Sequence, residues 1–201
     1  MTEIQKICVY CGSGSGNEPA FAEAARSFGK ILADNRISLV YGGGSVGLMG
    51  EISQAALDHG GEVIGVIPEF LMLRERASTT RHQMIITRDL HERKRTMFDL
   101  ADAFVALPGG IGTLEELVEQ ATWAQLGHHS KPILLGNIGG FWDPLCVLID
   151  HMKEHAFIRP GFSTNLLVVD QIDEILPTLR RAARQVSDTG VTADDMRVER
   201  I

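Results

Sequence analysis

The chain has 201 residues, 44% hydrophobic and 22% charged, with 26 Asp plus Glu against 19 Lys plus Arg and a formal net charge of −7. This balance excludes a disordered or collagen-like chain, and its sign argues against a non-specific nucleic-acid binder or a membrane-surface protein. The length fits one domain.

Apolar runs rich in Ile, Val and Leu predict strands at Ile7–Cys11, Ile37–Tyr41, Val63–Pro68, Met84–Thr87, Ala103–Pro108, Pro132–Gly136 and Leu166–Val169. Between the first two, Pro19–Ala33 places Phe21, Ala24, Ala25, Phe28, Ile31 and Leu32 on one helical face. Glu115–Leu126 and Pro144–Met152 show the same spacing, the second opened by Asp143 as N-cap and Pro144 at the first helical position. Alternating strands and helices with near-continuous apolar strands predict an α/β fold. The expected architecture is a single-domain, doubly wound, Rossmann-like parallel sheet of about seven strands over residues 1–187. Residues 188–201 are polar and aperiodic, and are expected to form a flexible tail. The stretch MTEIQKICVYCG is too short of apolar residues for a signal peptide, and no run approaches a membrane span. Cys8, Cys11 and Cys146 are too few, and odd in number, for a disulfide framework, so a cytoplasmic location is expected.

In such a sheet the ligand lies beyond the carboxyl ends of the strands. Three glycine-rich turns follow predicted strands: Gly12-Ser13-Gly14-Ser15-Gly16, Gly42-Gly43-Gly44-Ser45-Val46-Gly47, and Pro108-Gly109-Gly110-Ile111-Gly112-Thr113. Glycine lets an anion approach backbone amides, and the helix that follows adds the positive end of its dipole. Gly42, Gly44 and Gly47 satisfy G-x-G-x-x-G, with Glu69 after the next strand, but the match falls on the second strand and leaves the third turn unexplained. No Gly-Lys-Ser/Thr completes a Walker loop.

Other motifs carry less. Cys8-Val9-Tyr10-Cys11 reads C-x-x-C, yet on a strand the two thiols face opposite sides. His151 and His155, beside Asp150, read as a solvated helix face rather than a metal site, and His128-His129 has no evident partner. Arg74, Arg76, Arg81, Arg88, Arg93 and Arg95 crowd one stretch. Within it, Leu90, Met97, Leu100 and Ala101 could pack inward and leave Asp89–Arg95 as a solvent face. The segment nevertheless begins at the glycine-rich edge, where Arg can bind phosphate bidentately. Glu115 and Glu116 fall in the first predicted turn of the next helix. Dipole complementarity explains acids there, but carboxylates beside a phosphate site also suit sugar binding or activation of water.

The second and third turns together, with His91-Glu92-Arg93-Lys94 and Thr122-Trp123-Ala124-Gln125-Leu126-Gly127, resemble the LONELY GUY family over about residues 5–180. These are cytokinin riboside 5′-monophosphate phosphoribohydrolases, often labelled "possible lysine decarboxylase". The resemblance implies hydrolysis of the N-glycosidic bond of an N6-modified adenosine monophosphate, a step of cytokinin activation, giving free base and ribose 5-phosphate. It implies Arg93 and Glu116 as the catalytic pair and Glu75 as a base-side contact. Gly109, Gly110, Gly112 and Thr113 would hold phosphate, with Lys94 adjoining. Ser13, Gly43, Gly44, Ile111, Leu114, Glu115 and Thr122 complete the candidate substrate contacts. Arg93 could serve either the phosphate or the departing purine. No metal or cofactor is expected, and the expected partners are a small-molecule nucleotide monophosphate and a second copy of the chain. Trp123, Phe141 and Trp142 are candidates for that homodimer interface, and a core role suits each at least as well. Decarboxylation by pyridoxal phosphate would need a Schiff-base lysine, and of Lys6, Lys30, Lys94, Lys131 and Lys153 only Lys94 is near the expected cleft. The alternative is a non-catalytic nucleotide or molybdenum-cofactor carrier of the same fold.

Overall fold

The computed structural model describes residues 4–72, 83–158 and 166–189. Seven strands form one sheet: β1 (Lys6–Tyr10), β2 (Ser38–Tyr41), β3 (Val63–Pro68), β4 (Gln83–Thr87), β5 (Ala103–Ala106), β6 (Ile133–Gly136) and β7 (Leu166–Val169). All neighbours are parallel, in the order β4-β3-β2-β1-β5-β6-β7. Each predicted run became a strand, with its ends moved by no more than a residue or two.

Parallel neighbours need crossover helices, and these cover both faces. α1 (Pro19–Asp34), α2 (Gly47–Asp58) and α6 (Ile172–Thr189) bury apolar residues against one face; α3 (Leu90–Leu100), α4 (Ile111–Gln125) and α5 (Asp143–Glu154) lie on the other. β1 alternates accordingly: Ile7 and Val9 join the first core, Cys8 and Tyr10 the second. Cys11 returns to the first core, so the C-x-x-C thiols straddle the sheet and form no disulfide. Burial pushes the Cys8 thiol well above its ordinary value, helped by the nearby Glu116 charge, which leaves it unreactive. Among the described residues no helix is long and apolar enough to cross a membrane.

Four local expectations change. α4 begins at Ile111, so Glu115 and Glu116 lie beyond the first turn, where dipole complementarity has faded. α5 takes Trp142 rather than Asp143 as N-cap; the Asp143 carboxylate instead accepts a bond from Asn137 Nδ2 at 2.8 Å, tying down the turn after β6. α6 runs to Thr189, past the expected boundary at 187, while residues 190–201 lie outside the described residues. In α3 the inward and outward faces are partly exchanged: Leu90 is exposed, whereas Arg93 and Lys94 are buried.

His129 adds a pH dependence to the second core. Lys131 N–H donates to its Nδ1 at 3.1 Å, so Nε2 carries the proton and donates to the Gln120 carbonyl at 3.2 Å. Burial, and then the neighbouring cations, push its pKa down to about 4. The unfolded chain therefore binds this proton more readily between pH 6.5 and 4, and the native state loses stability as pH falls through that window. The expected loss is on the order of 3 kcal/mol between pH 7.5 and 4. Denaturant midpoints across the range should fall less steeply in His129→Gln; an equal slope would refute the assignment.

Candidate active site

The strand order reverses between β1 and β5, and the turns after these two strands open the crevice where a doubly wound sheet holds its ligand. The turns are stitched together. Gly12 N–H donates to the Pro108 carbonyl at 3.0 Å, Met49 N–H to Gly12 at 3.3 Å and Leu48 N–H to Gly14 at 3.4 Å. Between them lies a cleft of about 210 Å³.

One wall is the start of α4. Gly110 is its N-cap, and the first helical bond is Leu114 N–H to the Gly110 carbonyl at 3.0 Å. The amides of Ile111, Gly112 and Thr113 precede that bond, and these residues line the cleft at a helix start, a geometry able to receive an anion. Gly110 has an ordinary φ of −92°, and a Cβ there would meet nothing within 4 Å. A side chain at this position would enter open space at the rim of the cleft without straining the backbone.

The opposite wall is Arg93, carried on α3 and 7% exposed. Its Nε donates to the Val66 carbonyl and its Nη2 to the Gly42 carbonyl, both at 3.1 Å. Nη1 lies 3.8 Å from Glu116 Oε1. The neighbouring residues on each helix point elsewhere. Lys94 is clamped between Glu115 and Glu119, the latter at 2.9 Å. Burial opposes the Lys94 charge, but the two carboxylates outweigh it and raise its pKa. Successive helical residues diverge by about 100°, so Arg93 meets Glu116 at the cleft while Lys94 meets Glu115 beside it.

Of the candidate contacts, Ser13, Arg93, Gly110, Ile111, Gly112, Thr113 and Glu116 line this cleft. Gly43, Gly44, Lys94, Gly109, Leu114, Glu115 and Thr122 are not among its lining residues, and Glu75 lies outside the described residues. Thr122 donates to the Val118 carbonyl at 2.7 Å, nine residues and ~14 Å along α4 from Thr113. Cys11, Gly42 and Met49 line the cleft unanticipated. Gly42 opens the second glycine turn, but only the fold shows that Arg93 passes over it. A wider groove of about 590 Å³ between α3 and α4 offers no comparable chemistry: Arg88 there is paired with Glu92, and Arg95 stacks over Trp123.

The family model described as "Possible lysine decarboxylase" matches residues 49–179, a span that contains Arg93, the third glycine turn and Glu116. Cytokinin riboside 5′-monophosphate phosphoribohydrolase LOG7 of Arabidopsis thaliana is 51% identical over 159 residues, covering 79% of this chain and 73% of that protein. This chain belongs to the LONELY GUY family. A probable phosphoribohydrolase of the same name, LOG4 of Oryza sativa subsp. japonica, is 46% identical over 180 residues, covering 90% and 78% of the two chains.

Solved structures extend the likeness to fold only. The molybdenum cofactor binding protein of Rippkaea orientalis superposes with a TM-score of 0.68 over 90% of this chain and 98% of its own, at 18% identity. The Moco carrier protein of Chlamydomonas reinhardtii gives 0.66 over 91% and 99%, at 20% identity. This chain and these two proteins thus share a doubly wound sheet, and function must be argued from the cleft.

Proposed function

We propose that this chain hydrolyses the N-glycosidic bond of an N6-modified adenosine 5′-monophosphate, releasing the free base and ribose 5-phosphate, the activity for which its phosphoribohydrolase relatives are named. The observation that carries the reading is the Arg93–Glu116 pair at 3.8 Å, in the same small cleft as the open amides of α4. The phosphate binds those amides and supplies remote binding energy, so the nucleoside should react far more slowly than its monophosphate. The ribose then lies beside Glu116. As the glycosidic bond breaks, the carboxylate stabilises the oxocarbenium-like sugar and orients the attacking water. The water's hydroxyl ends on C1′ and its proton on the departing base. Two guanidinium nitrogens of Arg93 are held by carbonyls, so the third sets the Glu116 carboxylate in place. Incubation with AMP and with an N6-substituted AMP should release free base, read by chromatography. Tight nucleotide binding without any release would favour a carrier instead.

The decarboxylase description fits the residues poorly. A Schiff-base lysine works with a lowered pKa, whereas Lys94 is raised by its two carboxylates. The rest of the hydrolase reading is one nucleotide-binding unit that closes with α6, a cytoplasmic location and a homodimer. The interface suggested by Trp142 does not fit: it is 5% exposed and donates to the Ala106 carbonyl at 3.1 Å. Phe141 and Trp123 pack against other aromatic rings. The outer stripe of α4 fits better, with Ile111 and Val118 exposed along it and Leu126 exposed just past its end.

Phosphate binding at the start of α4 has a direct test. Gly110→Val should leave the fold intact, since its Cβ enters open space, and weaken AMP binding by about a hundredfold by filling the site of the anion. Calorimetric AMP titration reads this, and unchanged affinity would move the phosphate elsewhere.

A further inference from the structure

His151 and His155 stand four residues apart near the C-terminal end of α5, and the fold adds Glu154 to them. One ligand atom from each of the three lies within 4.8 Å of the others, and all three side chains are exposed. The two imidazole centroids are 4.2 Å apart. His155 Nδ1–H donates to the His151 carbonyl at 3.0 Å, since a carbonyl can only accept. That bond leaves the lone pair on Nε2, and a backbone carbonyl is the usual second partner of a metal-bound imidazole. Lys153 turns the other way, to Asp150 at 2.9 Å, so it does not neutralise Glu154.

The turn that ends the helix holds this arrangement. Ala156 N–H donates to the Lys153 carbonyl at 3.0 Å and Phe157 N–H to Met152 at 2.9 Å, the paired bonds of a Schellman close. Ala156 takes a φ of 59° to make it, a conformation glycine adopts more readily. Every crossover helix begins at the carboxyl edge of the sheet, so the end of α5 lies at the amino edge, away from the cleft of Arg93 and Glu116.

We propose that His151, Glu154 and His155 form a site for a divalent transition-metal ion of the zinc class, structural in effect and independent of nucleotide hydrolysis. Two imidazole nitrogens and one carboxylate oxygen suit zinc, with water in the remaining position. Small rotations of exposed side chains bring the three ligand atoms to coordinating distance, and the ion then clamps the last turn of α5.

Calorimetric titration of the EDTA-treated full chain with zinc chloride tests this. One equivalent per chain should bind in the micromolar range. His151→Ala and His155→Ala should each weaken binding by about tenfold or more, and Glu154→Gln by less. Base release from AMP should be equal in EDTA-treated and zinc-loaded protein. Failure to take up zinc saturably overturns the proposal, as does full uptake by the double His variant. Loss of binding in Cys146→Ser with the histidines intact would assign the uptake to a thiol and overturn it equally. Because binding is read directly, the result does not depend on the hydrolase reading.

Discussion

Glu116→Gln is expected to lower steady-state release of base from AMP by a factor of about a hundred or more, a loss of ~3 kcal/mol, with the fold intact. The substitution keeps size and hydrogen-bonding reach but removes the negative charge that opposes an oxocarbenium ion. Dipole complementarity does not account for Glu116, because α4 starts at Ile111 and places it sixth in the helix. Its Oε1 approaches Arg93 Nη1 at 3.8 Å in the cleft wall. Glu115 instead pairs with Lys94, which Glu119 also holds. Glu115→Gln should therefore leave most of the turnover and act mainly on the Lys94 cluster. Circular dichroism controls for folding in both variants. A Glu116→Gln protein with wild-type turnover would remove the catalytic assignment and favour a carrier.

The sheet was legible because each strand is a short, continuous apolar run closed by a turn, as burial on both faces demands. Gly12–Gly16, Gly42–Gly47 and Gly109–Thr113 could be placed at one edge from strand direction alone. Helix starts were harder to read. The glycines of Pro108–Thr113 look like loop, yet α4 already begins at Ile111, because isolated glycines weaken a helix without preventing a first turn. Lys94 and Glu115 showed why a motif read along the chain can mislead about side-chain direction. Adjacent helical residues diverge, and the partner that decides the direction of Arg93 (Glu116) or of Lys94 (Glu115 and Glu119) belongs to another element. Trp142 could be read as interface or core from the sequence, and what decides it is an indole N–H bonded to a buried carbonyl 36 residues away. Long-range partners of that kind leave no local pattern.

Gly42→Ala is expected to cost about a hundredfold in turnover while leaving the protein folded, since misplacing a catalytic group by an ångström can cost that much. A Cβ at Gly42 would fall 2.1 Å from Arg93 Nη2 and 3.0 Å from Met49 Sδ. The guanidinium must then leave the Gly42 carbonyl, and Nη1 moves with it from Glu116. The clash is with the end of a flexible side chain, so the backbone need not shift; the stability loss should be about 1 to 2 kcal/mol, from the disturbed hydrogen bonds of Arg93. Gly43→Ala next door should behave in the opposite way. Its φ of 78° disfavours any side chain, and a Cβ would meet Ile67 Cβ and Met84 Cε at 3.0 Å, in the sheet rather than the cleft. That variant should lose stability while turnover per folded molecule changes little. Urea midpoints and kcat for AMP, measured on both proteins, separate the two effects. Wild-type kcat in Gly42→Ala would show that the placement of Arg93 against Glu116 is not what drives base release.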